Sequence, residues 1–156
     1  MAWSASKPFT QFVAQAFNKQ FDLDSDAYLV ALFNNSITPA NDVAQANSAY
    51  NVGQWGTANE CYEAGQWAQG GVSLATPALT PAVGTSGTTT IKWDADDTAS
   101  GSAADLTNAT GALVYNNTLA GKYGVCYNYF GGPNSVVNGT FTVVWNANGI
   151  MSFSVA

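Results

Sequence analysis

Apolar and polar positions change their spacing along the chain, from a helical repeat near the start to alternation near the end. The first apolar set recurs at intervals of three and four residues and consists of Phe9, Phe12, Val13, Ala16 and Phe17. That spacing predicts one apolar face of a helix, and Ser6 followed by Pro8 is typical of a helix start. The stretch "FDLDSDA" (21–27) ends the predicted helix.

The middle of the chain predicts a buried strand and a short helix. The run "YLVALFNN" (28–35) is apolar and is closed by turn residues, as a buried strand would be. Pro39 followed by Asp42 predicts a second helix within "ANDVAQANSAYN" (40–51). Beyond residue 72 the predicted strands span 72–76, 88–96, 112–118 and 123–130.

Two further segments are predicted from turn residues and from alternation. The stretch "PALTPAVGTSG" (77–87) predicts a surface loop because Pro, Gly, Ser and Thr dominate it. The stretch "GTFTVVWNANGIMSFSV" (139–155) predicts a hairpin that turns at "NANG". Its alternating apolar residues are Phe141, Val143 and Trp145 before the turn, and Met151, Phe153 and Val155 after it.

These elements predict a mainly β (α+β) protein in one domain. An N-terminal helical arm, residues 1–26, precedes a β-rich structural domain, residues 27–156, built as an antiparallel β-sandwich or β-roll. The length of 156 residues suits a single domain, and 47% hydrophobic residues supply a core.

Charged residues are scarce, at 9% of the chain against roughly 25% in an average soluble domain. Nucleic acids and anionic membranes are bound mainly through Lys and Arg, and the basic residues Lys7, Lys19, Lys92 and Lys122 are too scattered for a basic patch. Histidine is absent, which excludes Ser-His-Asp and Cys-His catalysis. The sequence therefore predicts no nucleic-acid or membrane partner, no cofactor or metal, and no enzymatic activity.

Targeting signals and cysteines bear on the cellular compartment. The start "MAWSASKPFTQF" lacks a basic segment followed by an apolar run, so no signal peptide is expected. The longest apolar run, "AYLVALF" (27–33), is too short to cross a bilayer. Cys61 and Cys126 are accordingly expected to be reduced, buried thiols, although the sequence leaves a disulfide between them open.

The stretch "NECYEAGQWAQGGVSL" (59–74) looks like a reactive site because Cys61 lies between two carboxylates. Carboxylates raise a thiol pKa rather than lower it, and no base or oxyanion donor accompanies this cysteine. The glycine pair before "VSL" instead predicts a tight turn into a strand, with Tyr62 and Trp67 as packing residues. We interpret the stretch as a structural seam.

Two acidic clusters invite a metal-binding interpretation. "DLDSD" (22–26) matches the start of a calcium loop, which requires glycine at its sixth position and glutamate at its twelfth, where this chain has Ala27 and Phe33. "WDADD" (93–97) ends a strand with three carboxylates, which could bind a hard cation or form an acid/base pair. Acidic strand ends are more often turns, so we predict turns at both places.

Aromatic residues suggest a competing function. A sugar-binding platform could be formed by Tyr50, Trp55, Tyr62, Trp67, Tyr127 and Tyr129. Aromatics that alternate in a β protein are more often core or subunit interface. Sugar binding therefore stays an alternative hypothesis.

Several landmarks over residues 28–156 occur in a recognisable order. They are "LFNNSITPANDVAQANSAY", an acid followed by "GQWAQGGVSL", "WDADD", "GALVYNNT" and the closing "YFGGPNSVVNGTFTVVWNANGIMSFSV". This order resembles short virion structural proteins of tailed bacteriophages, especially those of actinobacteria, which are minor capsid, decoration or tail-associated proteins. The first two dozen residues and the length of "ANECYEAGQWAQGG" depart from that pattern.

The resemblance implies a non-enzymatic structural protein of the virion, assembled in the bacterial host cytoplasm. It implies either a minor capsid or decoration protein of the head or a tail-associated subunit. Our preferred hypothesis is a decoration protein that forms a small homo-oligomer, binds the major capsid protein on the outside of a phage head and bridges neighbouring capsomers. The alternatives are a tail or tail-tip subunit and a carbohydrate-binding module for host attachment.

Docking is expected to use the N-terminal aromatic helix or the loop 77–87. The candidate docking residues are Phe9, Phe12, Val13, Phe17 and Trp67. If the helix docks, deleting residues 1–20 should leave the β domain folded but unable to bind particles. An apolar helix face can equally be intramolecular core.

Overall fold

Antiparallel strands are the predominant regular secondary structure. The computed structural model describes residues 3–80 and 90–154. The chain forms a single domain that is 41% strand and 13% helix. The prediction of a mainly β, antiparallel, single-domain protein is therefore confirmed.

The described residues form eleven strands and one α-helix. In chain order these are β1 (Lys7–Pro8), α1 (Thr10–Phe17), β2 (Tyr28–Phe33), β3 (Glu60–Cys61), β4 (Val72–Ser73), β5 (Ala78–Thr80), β6 (Thr90–Asp94), β7 (Thr98–Ala99), β8 (Ala104–Asn116), β9 (Gly124–Gly139), β10 (Thr142–Val143) and β11 (Met151–Ser154). Short 3₁₀ turns span Gln45–Ser48, Gly53–Trp55 and Thr57–Asn59.

The largest sheet has six strands, in the order β1-β9-β8-β2-β3, with β4 also pairing with β2. Strand β2 pairs with β8 along its whole length, from Tyr28 opposite Asn116 to Phe33 opposite Gly111. Five of the six β2 residues are buried, and Leu29 is half-buried. A strand covered on both faces needs a continuous apolar run, which is why "YLVALF" predicts it correctly.

Strands β8 and β9 are far longer than predicted. The predicted strands 112–118 and 123–130 cover only the ends of β8 and β9 next to their connecting turn. The remaining halves, 104–111 and 131–139, pair with repeated shifts of register. Asn108 and Gly131 adopt φ of 59° and 83° there. Glycine and asparagine in this ladder mark β-bulges. Because these residues are typical of turns, the sequence did not predict strands at these positions.

The predicted terminal hairpin is wrong in its pairing. The turn is present, since Gly149 N donates to Asn146 O at 2.7 Å and Gly149 has φ of 88°. Its two arms nevertheless join different sheets: β10 pairs with β7 and β11 pairs with β6. Each arm pairs with a strand that lies far from it in the sequence, and local alternation does not reveal which strand that is.

Two other local predictions are corrected. The second helix predicted within 40–51 is only the 3₁₀ turn Gln45–Ser48. The strand predicted over 72–76 is only the two residues of β4. The loop 77–87 begins with strand β5, and its remaining residues from 81 onward lie outside the described residues.

The N-terminal segment belongs to the core. Helix α1 lies where the apolar spacing predicts it, but Trp3, Phe9 and Phe12 around it are 4%, 0% and 1% exposed. The Trp3 ring lies 5.9 Å from that of Trp55, and the Phe9 ring lies 5.5 Å from that of Tyr127. Because these three side chains are core residues, we expect deletion of residues 1–20 to destabilise the β domain rather than leave it folded. The division into an arm, 1–26, and a β-rich domain, 27–156, stays a prediction.

Candidate docking surface

The surroundings of the Cys61 thiol disfavour its ionised form. Cys61 and Cys126 are both buried and unpaired, as expected. The pKa of Cys61 is raised to about 11, mainly by burial and secondly by the negative charge of Glu60. Burial raises the pKa of Cys126 to about 12. Neither thiol therefore forms an appreciable thiolate near neutral pH.

The neighbouring Glu60 anchors a buried polar cluster. Its carboxylate accepts hydrogen bonds from Tyr50 Oη at 2.8 Å and from Gly70 N at 2.7 Å. Tyr115 Oη donates to Gly70 O at 2.6 Å, and its ring stacks on Tyr50 at 4.8 Å. Burial raises the pKa of Glu60. We call Tyr50, Glu60, Gly70 and Tyr115 the Glu60 cluster.

The interpretation of this stretch as a seam agrees with the contacts. Gly70 and Gly71 have φ of 93° and 98° and lead directly into β4. Trp67 is fully buried, and its Nε1 donates to Val30 O at 3.1 Å. Tyr62 is an exception, because it is 47% exposed rather than packed. The stretch joins the main sheet to its neighbouring turns.

The acidic clusters are occupied by internal hydrogen bonds. Asp22 Oδ1 accepts from Asp24 N at 3.0 Å and from Ser25 N at 3.1 Å. Hydrogen bonding, chiefly from the Ser25 side chain, lowers the pKa of Asp22. Asp94 pairs with Lys92 at 3.1 Å, and Asp97 accepts from Trp145 N at 3.0 Å. Within residues 3–80 and 90–154, no three Cys, Asp or Glu side chains are arranged to hold a metal ion.

The aromatic residues do not assemble into a sugar-binding platform. Trp55 and Trp67 are fully buried, and Tyr50 and Tyr127 are 9% and 3% exposed. Tyr129 is half-buried and stacks on Trp3 at 6.4 Å. Only Tyr62 of the six shows much of its ring. Five of these side chains serve the core or its margin.

An apolar groove of about 680 Å³ lies between helix α1 and the small sheet β11-β6-β5. The helix and the following turn contribute Phe12, Val13, Ala16, Phe17, Lys19, Phe21, Asp22, Leu23 and Asp24. The small sheet contributes Leu79, Ile91 and Phe153. We call this surface the apolar groove.

Strand geometry explains the sheet side of the groove. Ile91 pairs with Phe153 and Trp93 pairs with Leu79. Residues two apart on a strand share a face, so Ile91 lies on the same face as the buried Trp93. Ile91 is 40% exposed, whereas Trp93 is fully buried. The apolar face of the small sheet thus continues beyond the core into solvent.

Phe17 forms the helix side of the groove and is 86% exposed. Phe17 also lines a second hollow of about 590 Å³, together with Lys7, Pro8, Thr10, Val13, Ala14 and Asn41. Phe17 and Val13 are therefore shared by two neighbouring hollows. A bare phenyl ring beside a large apolar groove is typical of a surface that binds another molecule.

Charged groups of both signs border the apolar groove. Asp24 Oδ1 accepts from Leu79 N at 2.9 Å, which ties the turn to strand β5.

The basic residue at this border, Lys19, belongs to the end of helix α1. The helix ends in a Schellman motif, in which Lys19 N donates to Ala16 O and Gln20 N donates to Gln15 O. Lys19 takes the left-handed position of this motif, with φ of 61°, where glycine is usual.

The structure separates the five predicted docking residues. Phe12, Val13 and Phe17 line the apolar groove, but Phe12 is only 1% exposed. Phe9 and Trp67 are fully buried away from it. Phe9, Phe12 and Trp67 are therefore corrected to core residues, because a buried ring cannot contact a partner. Val13, which is half-buried, and Phe17 remain as surface candidates.

Sequence reasoning missed the sheet side of the apolar groove. Leu79, Ile91 and Phe153 come from three strands that are brought together only by long-range pairing. The alternation of Met151 and Phe153 is the available signal for an apolar face. It does not reveal that this face meets helix α1.

Comparison with protein-family models, with curated proteins and with solved structures found no match to the chain. Among the described residues, no helix is long and apolar enough to cross a membrane.

Proposed function

We propose that the chain is a non-enzymatic structural protein of a virion. In this proposal it is a minor capsid or decoration protein that binds the major capsid protein on the outer surface of a phage head and stabilises the lattice. The finer description of the fold, an N-terminal helical region on an antiparallel sandwich or roll, belongs to the same proposal.

The observation that carries the proposal is an exposed apolar groove in a chain with only 9% charged residues. Such a surface supports work by packing against other proteins. The buried, protonated thiols and the internally bonded carboxylates also favour structure over chemistry.

The sequence landmarks that resemble virion proteins have structural roles here. The acid that precedes "GQWAQGGVSL" is Glu63, whose carboxylate accepts a hydrogen bond from Asp105 N at 2.6 Å. Trp93 of "WDADD" donates to Leu23 O at 2.9 Å, and Asp97 holds Trp145 N. The pattern "GALVY" lies in β8 and pairs with β2. These roles support a resemblance of architecture, which is what a family of structural proteins would share.

Binding to the assembled lattice would stabilise the particle by mass action, since the chain would recognise the shell and not free capsomers. The capsid surface presents the same binding site many times in a symmetric array. A small cyclic oligomer of the chain would contact several of these sites at once.

Co-sedimentation tests the proposal. The purified chain is mixed separately with empty phage heads and with isolated tails, and the pelleted chain is measured against the major capsid protein. Saturable binding to heads in a fixed ratio, displaced by excess unlabelled chain, is the expected result.

Other outcomes redirect or end the proposal. Binding to tails alone would assign the chain to the tail or tail tip. Binding to neither particle would overturn the virion role. Glycan titration followed by tryptophan fluorescence would then test the sugar-binding alternative, for which exposed Tyr62 is the remaining aromatic candidate.

A further inference from the structure

We infer that the apolar groove binds a second copy of this chain, through a two-fold contact in which Phe17 of each protomer enters the groove of the other. This assigns an interaction surface and its occupant. It names the occupant of the same groove on which the proposed function rests, and its test does not require phage particles.

A two-fold contact requires one surface to carry both a projection and its matching hollow. The groove region meets this requirement, because Phe17 projects with 86% of its surface exposed beside a hollow of about 680 Å³. The hollow is larger than one phenyl ring. Its floor is apolar, with Leu79, Ile91 and Phe153 from the small sheet.

The charges at the border support a second copy over an unrelated partner. Lys19, Asp22 and Asp24 all line the apolar groove and are exposed. Among residues 3–80 and 90–154, Lys92 and Asp94 form the one ion pair, so Lys19 pairs with none of the described acids. A strongly basic or acidic partner would leave one sign of this border unmatched.

A two-fold axis between Lys19 and the two aspartates would pair them reciprocally. Lys19 of each protomer would then face Asp22 or Asp24 of the other, which makes the border self-complementary. The same operation lays each Phe17 over the apolar floor of the opposite protomer. Charge and shape therefore select the same occupant.

Sedimentation equilibrium of the full chain tests the inference over micromolar to sub-millimolar concentrations. The expected result is a reversible species of twice the 16.3 kDa chain mass. Phe17→Asp should raise the dimer Kd about 30-fold or more, as for a central aromatic contact. Because Phe17 is so exposed, this variant should keep the circular-dichroism spectrum of the parent chain. Its thermal midpoint should match that of the parent at concentrations where the parent is monomeric, since dimerisation itself raises the midpoint.

Val144→Asp is the matched control, since Val144 is 70% exposed and does not line the apolar groove. It adds the same charge and should leave the dimer Kd unchanged. An equal loss in both variants would mean that added charge alone prevents association, which would overturn the inference.

Cysteine cross-linking tests the geometry. Phe17→Cys and Ile91→Cys chains are mixed and oxidised, with the native thiols buried. A disulfide-linked dimer that joins Phe17→Cys to Ile91→Cys is expected, because each Phe17 position should lie over the opposite groove floor. Dimers without this mixed cross-link would place the contact elsewhere.

The remaining outcomes separate this inference from the virion role. A chain that stays monomeric at all concentrations overturns the two-fold contact. If that monomer binds phage heads and Phe17→Asp abolishes the binding, the groove contacts the capsid instead. Dimers that bind neither heads nor tails would uphold the contact and overturn only the virion role.

Discussion

The Glu60 cluster and the apolar groove reverse the usual distribution of polar and apolar groups. In the cluster a carboxylate and two tyrosines lie inside the protein with their hydrogen bonds satisfied. In the groove a phenylalanine and an isoleucine lie outside it. A buried polar group is tolerated when it is paired, whereas an exposed apolar surface is retained without internal benefit. The first region therefore holds the fold together, and the second is available to a partner.

The largest expected effect comes from the turn of the Glu60 cluster. Gly71→Ala would place a Cβ into the backbone of Val30 at φ of 98°. We expect a loss of more than about 3 kcal/mol in the free energy of unfolding, because the β2–β4 pairing must shift. Urea denaturation followed by circular dichroism measures it.

Gly65→Ala is the control for this prediction. Gly65 also has positive φ, at 82°, but its Cβ would meet open space. It should cost about 1–2 kcal/mol, the price of the left-handed backbone alone. Equal losses for the two variants would show that the close approach to Val30 has no energetic role.

An intermediate effect is expected from Glu60 itself. Glu60→Ala leaves Tyr50 Oη and Gly70 N without their acceptor, which should cost about 2–4 kcal/mol. Glu63→Ala is the comparison, since Glu63 is half-buried and accepts one bond, from Asp105 N. It should cost about 1 kcal/mol.

The pH dependence separates the charge of Glu60 from its hydrogen bonds. Burial raises the pKa of Glu60 above its ordinary 4.5, so the unfolded chain ionises first as pH rises. Stability contributed by the protonated form is therefore present below pH 4.5 and is lost as pH rises through the folded pKa. The unfolding free energy of Glu60→Gln should fall less than that of the parent chain over this range. Parallel pH profiles would contradict the raised pKa.

The smallest effect is expected at the border of the apolar groove. Lys19→Gly relieves a left-handed lysine at φ of 61° and should stabilise the monomer by about 1 kcal/mol, while weakening the dimer. Lys122→Gly is the matched control, with φ of 46°. It should stabilise to a similar or smaller extent, since its cation–π contact with Tyr50 is lost, and leave association unchanged. Thermal unfolding measures the change in monomer stability, and sedimentation equilibrium measures the change in dimer affinity.

Short-range spacing was sufficient for the helix and for strand β2. Helix α1 is predicted by a repeat of apolar residues every 3.6 positions, and β2 is predicted by an uninterrupted apolar run. Both signals are visible within a few neighbouring residues of the sequence. The scarcity of charge and the absence of histidine likewise follow from counting. The interpretation of residues 59–74 as a seam also needed only the missing catalytic base.

Which strands pair with each other, and which side chains are buried, could be learned only from the tertiary structure. The arms of the terminal turn pair with β7 and β6 rather than with each other, since strand pairing depends on distant residues. Phe12 and Phe17 belong to one predicted helix face, yet one is 1% and the other 86% exposed. Helical spacing defines a face of the helix. The rest of the protein covers that face around Phe12 but not around Phe17. This difference in coverage decides that Phe12 is a core residue and that Phe17 remains available to a partner.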